Sequence, residues 1–348
     1  MADIQSQMIQ FHEQIKLKRF DENQILRDKR DIILNRLDIG LKKLDNPPKY
    51  EWFNQGGYAM DIGVKPINGD YDLDVGIRFK ISKDDYPDPL EPKKWVRDSL
   101  LTLTKRVEIH RPCVTVYYQK SGEPIYHVDL AIYSDKDSNA DGKTYLARGK
   151  ENSSRENKTW EESDYQGLID LIKNRFPDSE DAKQFRRAIR YLKRWKDLKF
   201  VIEGNSAPIG IGITLAAYNW FTPSKVVTSF ANTVKYDDLK ALQLFVKAML
   251  DNFKIVYSEG TLVSRLEVLL PVVPGRDVFK KMTNSQMDSF KNKLQALLNS
   301  IEQAQAEADP IEACKLLQSP FDTDFPVPDS KTTAQKRSSA IVSGSASA

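Results

Sequence analysis

Two aspartates one residue apart, Asp72 and Asp74, sit in the run from Asp70 through Leu73, Val75, Gly76 and Ile77 to Phe79. That run reads as a β-strand, whose side chains alternate faces, so Asp72 and Asp74 point one way and Leu73, Val75 and Ile77 the other. One face can pack on a core. The opposite face carries two negative charges, and Gly76 is expected to leave the space beside them open. Paired carboxylates facing one opening repel each other unless a cation lies between them. A third, Asp129, lies in the apolar run Tyr126–Tyr133, where Val128, Leu130 and Ile132 face the opposite side. Three carboxylates from two neighbouring strands can hold two divalent ions about 4 Å apart. All-oxygen ligands suit magnesium, with manganese as a substitute. Upstream, Gln55-Gly56-Gly57-Tyr58 reads as a turn whose missing side chains let backbone N–H groups approach phosphate oxygens. An isolated Asp-x-Asp is most often a solvated hairpin edge. The glycine pair and Asp129 turn this one towards phosphoryl-type transfer, where the protein supplies position and charge stabilisation.

A chain of 348 residues is long enough for two lobes with real cores. Its 52 basic and 49 acidic residues leave a net charge of +3, so no global basic field argues for bulk nucleic-acid binding. Phosphate affinity must therefore be local. Cys113 and Cys314 have no metal-ligand spacing and are expected as buried, reduced thiols of a cytoplasmic protein. His12, His110 and His127 form no HExxH or nucleophile-triad arrangement, which sets zinc chemistry aside. No run approaches the length of a membrane span and no apolar signal region opens the chain, so no membrane partner is expected.

The elements that must position these groups follow from periodicity. Residues 4–44 read as one long helix or a broken pair, ended by Pro47-Pro48 and bracing the back of the body. Strands dominate 50–133. Besides 71–79, residues 113–118 and 126–133 read as an antiparallel hairpin across a turn at Ser121-Gly122, and Pro92 to Arg106 as a helix. The polar stretch 135–163 reads as surface loops and a lobe boundary. A helix opening near Ser179 is expected to bury Ala188, Leu192 and Trp195 and to line another face with Arg186, Arg190 and Lys193. Helices are expected at 209–221 and 237–253, then from the Thr283-x-x-Gln286 capping box to about Ala308, then from Asp309-Pro310. Residues 262–273 form a β-rich run. From 329 the composition collapses to Ser, Thr, Ala and Lys, and disorder is expected. The fold class is α+β. Its division is a helical brace at 1–48, a catalytic core at 49–155, a helical lobe at 156–328 and a tail at 329–348.

Gly56-Gly57-Tyr58-Ala59, Pro66, Gly69, Asp72-x-Asp74 and Asp129 in its apolar strand together resemble the nucleotidyltransferase superfamily of polymerase β. More narrowly, the chain is similar to the CD-NTases of CBASS anti-phage operons, bacterial relatives of cyclic GMP-AMP synthase. The likeness continues through Arg190 to Trp195, Arg265 to Pro271, Asp277-Val278-Phe279 and Phe325-Pro326, so it covers about residues 50–328. The resemblance implies a bilobed polymerase-β-like core, a mixed sheet with flanking helices, and a mostly helical second lobe closing a triphosphate cleft. It implies Asp72 and Asp74 as the metal-bridging pair and Asp129 as the third metal-binding, catalytic carboxylate. Gln55, Gly56 and Gly57 match the phosphate turn, and Lys193 matches a basic residue reaching the triphosphate. The family often has Gly-Ser in the turn, and Gly57 removes that hydroxyl donor. Tyr58 either packs against the turn or lines the base pocket. Lys196 reads as surface and Asp70 as shaping the turn.

The implied activity is a magnesium-dependent condensation of NTPs, ATP among them, into a cyclic di- or trinucleotide second messenger for an anti-phage effector. Two alternatives stand beside it: a linear-oligonucleotide or terminal nucleotide-adding transferase, and a catalytically silent module that binds nucleic acid or a partner. The Ser/Ala-rich tail ending at Ala348 resembles synthase C-termini joined to targets by ubiquitin-like conjugation machinery; inert disorder is the other reading.

Overall fold

The computed structural model describes residues 2–17, 22–104, 106–118, 126–200, 207–228, 233–258 and 260–329. The N-terminal segment is a pair of helices, α1 (Gln5–Ile15) and α2 (Glu22–Leu41). Met8, Phe11, His12 and Ile15 form the buried stripe of α1, spaced as one helical face requires. β1 (Tyr50–Asn54) leads into a one-turn helix, α3 (Gly56–Ala59), and then to β2 (Tyr71–Phe79). α4 (Leu90–Leu100) stops well short of Arg106, because the residues from Arg106 change period. Val107 and Ile109 are buried while Arg106 is exposed and Glu108 only half-buried, which is the alternation of a strand, β3 (Arg106–Ile109). β4 (Val114–Tyr118) and β5 (Tyr126–Ser134) pair antiparallel as expected, and the turn read at 121–122 lies outside the described residues.

The stretch 135–163 holds more than loops. β6 (Tyr145–Arg148) pairs with the end of β5, and β7 (Thr159–Glu162) pairs with β6, so the sheet runs to Glu162, past residue 155. Each is four residues long with one polar face, which is why composition hid them. Ala147 is buried, and the Trp160 indole N–H donates to the Tyr86 carbonyl at 2.8 Å, anchoring the hairpin. The main path of the sheet is β1-β2-β5-β4-β3. β2 and β5 are parallel neighbours, while the other strand pairs are antiparallel.

The helical lobe follows with α5 (Tyr165–Lys173), α6 (Ser179–Lys199) and α7 (Gly210–Trp220). A hairpin of β8 (Lys225–Thr228) and β9 (Thr233–Tyr236) precedes α8 (Asp238–Asp251). A second hairpin, β10 (Phe253–Ser258) and β11 (Thr261–Leu266), precedes α9 (Asn284–Ala306) and α10 (Pro310–Phe321). The Asp178 carboxylate accepts the N–H groups of Glu180 and Asp181 to start α6. Both halves of the capping box at Thr283 and Gln286 are made. Ala188, Leu192 and Trp195 are buried, as expected.

Two cores result. Leu73, Val75, Ile77, Val128, Leu130 and Ile132 meet α2 and α4 on one side of the sheet. Phe185, Tyr191, Trp195, Phe245 and Phe290 hold the helical lobe. α1 belongs to the helical core and α2 to the sheet core, so the N-terminal pair ties one lobe to the other. Cys113 and Cys314 are buried free thiols. Among the described residues no helix is long and apolar enough to cross a membrane. The tail from 330 and its terminal Ala348 lie outside the described residues.

Candidate active site

The parallel register of β2 and β5 sets Asp74 directly opposite Asp129, and Asp72 opposite His127. Carboxylate oxygens of Asp72, Asp74 and Asp129 lie within 4.8 Å of one another. Strand alternation does this: Leu73, Val75 and Ile77 are sealed in the core, so Asp72 and Asp74 project from the opposite face. Thr115 on β4, paired with Asp129, donates its hydroxyl to Asp129 Oδ1 at 2.5 Å and fixes the third carboxylate from the far side.

Three negative groups so close raise the cost of charging any one. Asp72 touches solvent but stands inside a concave site. Burial first, then the charges of Asp74, Asp129 and Asp70, push its carboxyl up to about 8. Burial and Asp129 push Asp74 up to about 6, with Lys193 opposing. Carboxylates grouped this closely could share a divalent cation bound through oxygen. The donor set fits magnesium or manganese and does not resemble a zinc site.

Gly76 does not leave the expected opening. A Cβ there would lie 2.1 Å from Phe53 Cζ, so the Phe53 ring already fills that space. Phe53 stacks on Tyr165 at 4.0 Å between centroids and leans on Tyr133 at 5.7 Å. The Tyr133 hydroxyl in turn accepts the Gln55 side-chain amide at 2.6 Å. Gln55 also donates its backbone N–H to the Asp74 carbonyl at 2.9 Å. Gln55 thus braces the turn from behind, and its side chain is committed to Tyr133.

Gly56 has φ of +59°, and a Cβ there would sit 1.7 Å from Asp74 Oδ2. Only glycine lets the turn lie against that carboxylate. At Gly57 the nearest contact for a Cβ is Lys193 Nζ, at 3.6 Å. Lys193 crosses from α6 to this spot and donates to the Ile62 carbonyl at 3.3 Å. Burial, then Lys196 and Arg190, bring its ammonium down to about 8, while Asp197 and Asp74 oppose.

A cleft of about 640 Å³ between the lobes is lined by Gly56, Gly57, Tyr58, Asp72, Asp74 and Lys193. Lys196 lines it as well, one helical step from Lys193, rather than standing on the outer surface. Tyr58 does both things open to it, lining the cleft and packing on the sheet core. Asp70 lines the cleft too and reaches His127 Nδ1 at 2.9 Å.

Sequence reasoning placed Arg190 on a charged face, but it is 3% exposed. It donates to the carbonyls of Asp61 and Gly63 at 2.5 and 3.2 Å and to the Asp61 carboxylate at 3.0 Å. Its Nη1 also meets His12 Nε2 at 3.1 Å. The loop after the glycine turn is therefore tied to α6 and α1. The spacing Arg190-x-x-Lys193 on one helix was the available signal; the partners, distant in sequence, were not.

Residues 50–133 match the family described as cyclic GMP-AMP synthase DncV-like, nucleotidyltransferase domain. A curated cyclic GMP-AMP synthase from Escherichia albertii is 27% identical over 155 residues, a stretch covering 42% of this chain and 31% of that protein. Among solved structures, Vibrio cholerae DncV in its apo form superposes with a TM-score of 0.67 at 17% identity, covering 91% of this chain and 95% of that one. E. coli MS115-1 CdnC with ATP gives 0.64 at 19% identity, covering 92% and 98%. The domain match falls on the strands that carry the three aspartates, and the fold likeness extends across both lobes. Residues 50–133 are thus similar to DncV-like nucleotidyltransferase domains, and the fold across both lobes is similar to that of the solved CdnC and DncV structures.

Proposed function

We propose that this chain condenses NTPs, ATP among them, into a cyclic di- or trinucleotide, a second messenger for an anti-phage effector. The observation that carries the reading is Asp74 facing Asp129 across parallel β2 and β5, with Asp72 beside them at the mouth of the cleft. Asp72, Asp74 and Asp129 would hold two magnesium ions, or manganese in their place; such ions neutralise triphosphate charge and lower the pKa of an attacking hydroxyl. The backbone N–H groups of the Gly56-Gly57 turn and the Lys193 ammonium bind the triphosphate of the donor nucleotide. Asp129, oriented by Thr115, holds the hydroxyl of the acceptor towards the donor α-phosphate and takes up its proton as it attacks. The new phosphorus–oxygen bond forms as the bond to the β-phosphate oxygen breaks, and pyrophosphate leaves. A second round within the linear product closes the ring. In this reading the tail ending at Ala348 is the handle for ubiquitin-like conjugation machinery.

The test is mass spectrometry of the product made from all four NTPs with magnesium, after phosphatase treatment. A phosphatase-resistant cyclic species from the wild type and none from Asp72→Asn supports the proposal. A product that loses its terminal phosphate is linear and supports terminal nucleotide addition. Equal product from both proteins overturns the metal assignment.

A further inference from the structure

Away from the glycine turn, the seam between the sheet and the helical lobe brings two arginines, Arg148 and Arg276, onto one carboxylate, with Arg111 close enough for its charge to act on Arg148. Arg148 closes β6, and its Nη1 meets Glu161 Oε1 on β7 at 2.9 Å. From the helical lobe, Arg276 reaches the other oxygen of the same carboxylate. Arg111, between β3 and β4, has no acidic partner among the described residues and donates to the Asn157 side-chain oxygen at 3.4 Å. Burial pushes Arg148 below the usual guanidinium range, and the charges of Arg276 and Arg111 push the same way against Glu161.

The seat beneath this cluster is built. Lys93 is fully buried on α4, and its ammonium donates to the carbonyls of His110, Arg111 and Gly149 at 2.5, 3.1 and 2.8 Å. The backbone that carries Arg111 and follows Arg148 is thereby pinned. The Nε–H groups of Arg111 and Arg148 are buried and donate to nothing among the described residues. Unused buried donors cost about 1–3 kcal/mol each, and cations at this density repel unless an anion joins them. Ala147 faces the sheet core, and Tyr133 pairs with Leu146, so alternation puts Arg148 on the sheet face that bears Asp129.

We propose that Arg111, Arg148 and Arg276 form a phosphoryl-anion site separate from the glycine turn, with Glu161 as the internal anion that a ligand displaces. Guanidinium forks match phosphate oxygens two at a time, which suits a diphosphate or triphosphate group. The group comes either from a second nucleotide, an option that rests on the proposed activity, or from free pyrophosphate.

The experiment is calorimetric titration of the full chain, in EDTA, with inorganic pyrophosphate and separately with ATP. The Arg276 side chain is 45% exposed, so its replacement spares the fold. Arg111→Gln with Arg276→Gln weakens pyrophosphate binding roughly tenfold or more. Glu161→Gln removes the competing carboxylate and tightens it. ATP binding that is tighter than pyrophosphate and equally dependent on the arginines identifies the second nucleotide; ATP no tighter than pyrophosphate identifies the free anion. Binding unchanged in the arginine variant, or weakened by Glu161→Gln, overturns the site. No metal or turnover enters the measurement, so its failure leaves the proposed activity standing.

Discussion

Gly56 is where the glycine turn and the strand carrying Asp72 and Asp74 touch, and Gly56→Ala separates what glycine does there from what the turn does generally. The backbone at this residue has φ of +59°, a conformation costing an alanine about 1–2 kcal/mol. In a chain of this size that lowers the melting temperature by a few degrees. The added Cβ would also lie 1.7 Å from Asp74 Oδ2 and 2.6 Å from its Cγ, so the carboxylate must retreat by well over an ångström. A displacement of that size at a reacting centre costs about a hundredfold in turnover. Gly57→Ser is the control: no positive φ applies, and the nearest atom is Lys193 Nζ at 3.6 Å, so the serine fits and offers its hydroxyl beside that ammonium. Pyrophosphate release with NTPs and magnesium, alongside scanning calorimetry, reads both effects. Gly56→Ala at wild-type turnover, or Gly57→Ser as inactive as Gly56→Ala, refutes the reasoning.

Thr115→Val keeps the shape of the side chain but removes the 2.5 Å hydrogen bond to Asp129, and turnover is expected to fall about tenfold with the melting temperature nearly unchanged. Gly76→Ala would drive a methyl to 2.1 Å from Phe53, and overpacking of that kind costs about 1–3 kcal/mol, read as a lower denaturation midpoint. His12 is held neutral: burial first, then Arg190, bring its pKa from 6.5 down to about 4. The unfolded chain takes up the proton near 6.5 and the folded one does not, so this contribution is complete above that pH and is lost as pH falls from 6.5 towards 4. The loss amounts to about 3 kcal/mol, and urea titrations should find the difference between wild type and His12→Asn shrinking over that window.

What could be read without coordinates was governed by period. Asp72, Asp74 and Asp129 were legible because alternation with Leu73, Val75, Val128 and Leu130 forces them to one face. Their parallel register was not, since it depends on β2 and β5 meeting across intervening helix and strands. β3, β6 and β7 were missed or dissolved into loops because four residues with a polar outer face barely register as strands. Gly76 was misread as open space, because a missing side chain does not say that the Phe53 ring of the neighbouring strand fills it. Lys196 read as surface, and the partners of Arg190 stayed hidden, because a helix sequence does not say which of its faces meets a distant loop or cleft. The hydrogen bond of Gln55 to Tyr133 was not legible, since that partner lies far along the chain.

The central claim is that three carboxylates converge to hold divalent cations, and manganese binding measured by electron paramagnetic resonance tests it most directly. With Asp72 raised to about 8 and Asp74 to about 6, cations compete with protons, so affinity should climb steeply from pH 6 to pH 8. With a non-hydrolysable nucleotide present, two bound ions per chain are expected in the wild type, falling to weak or absent binding in Asp74→Asn. Two tightly bound ions retained in that variant, or none in the wild type at pH 8, would contradict the account.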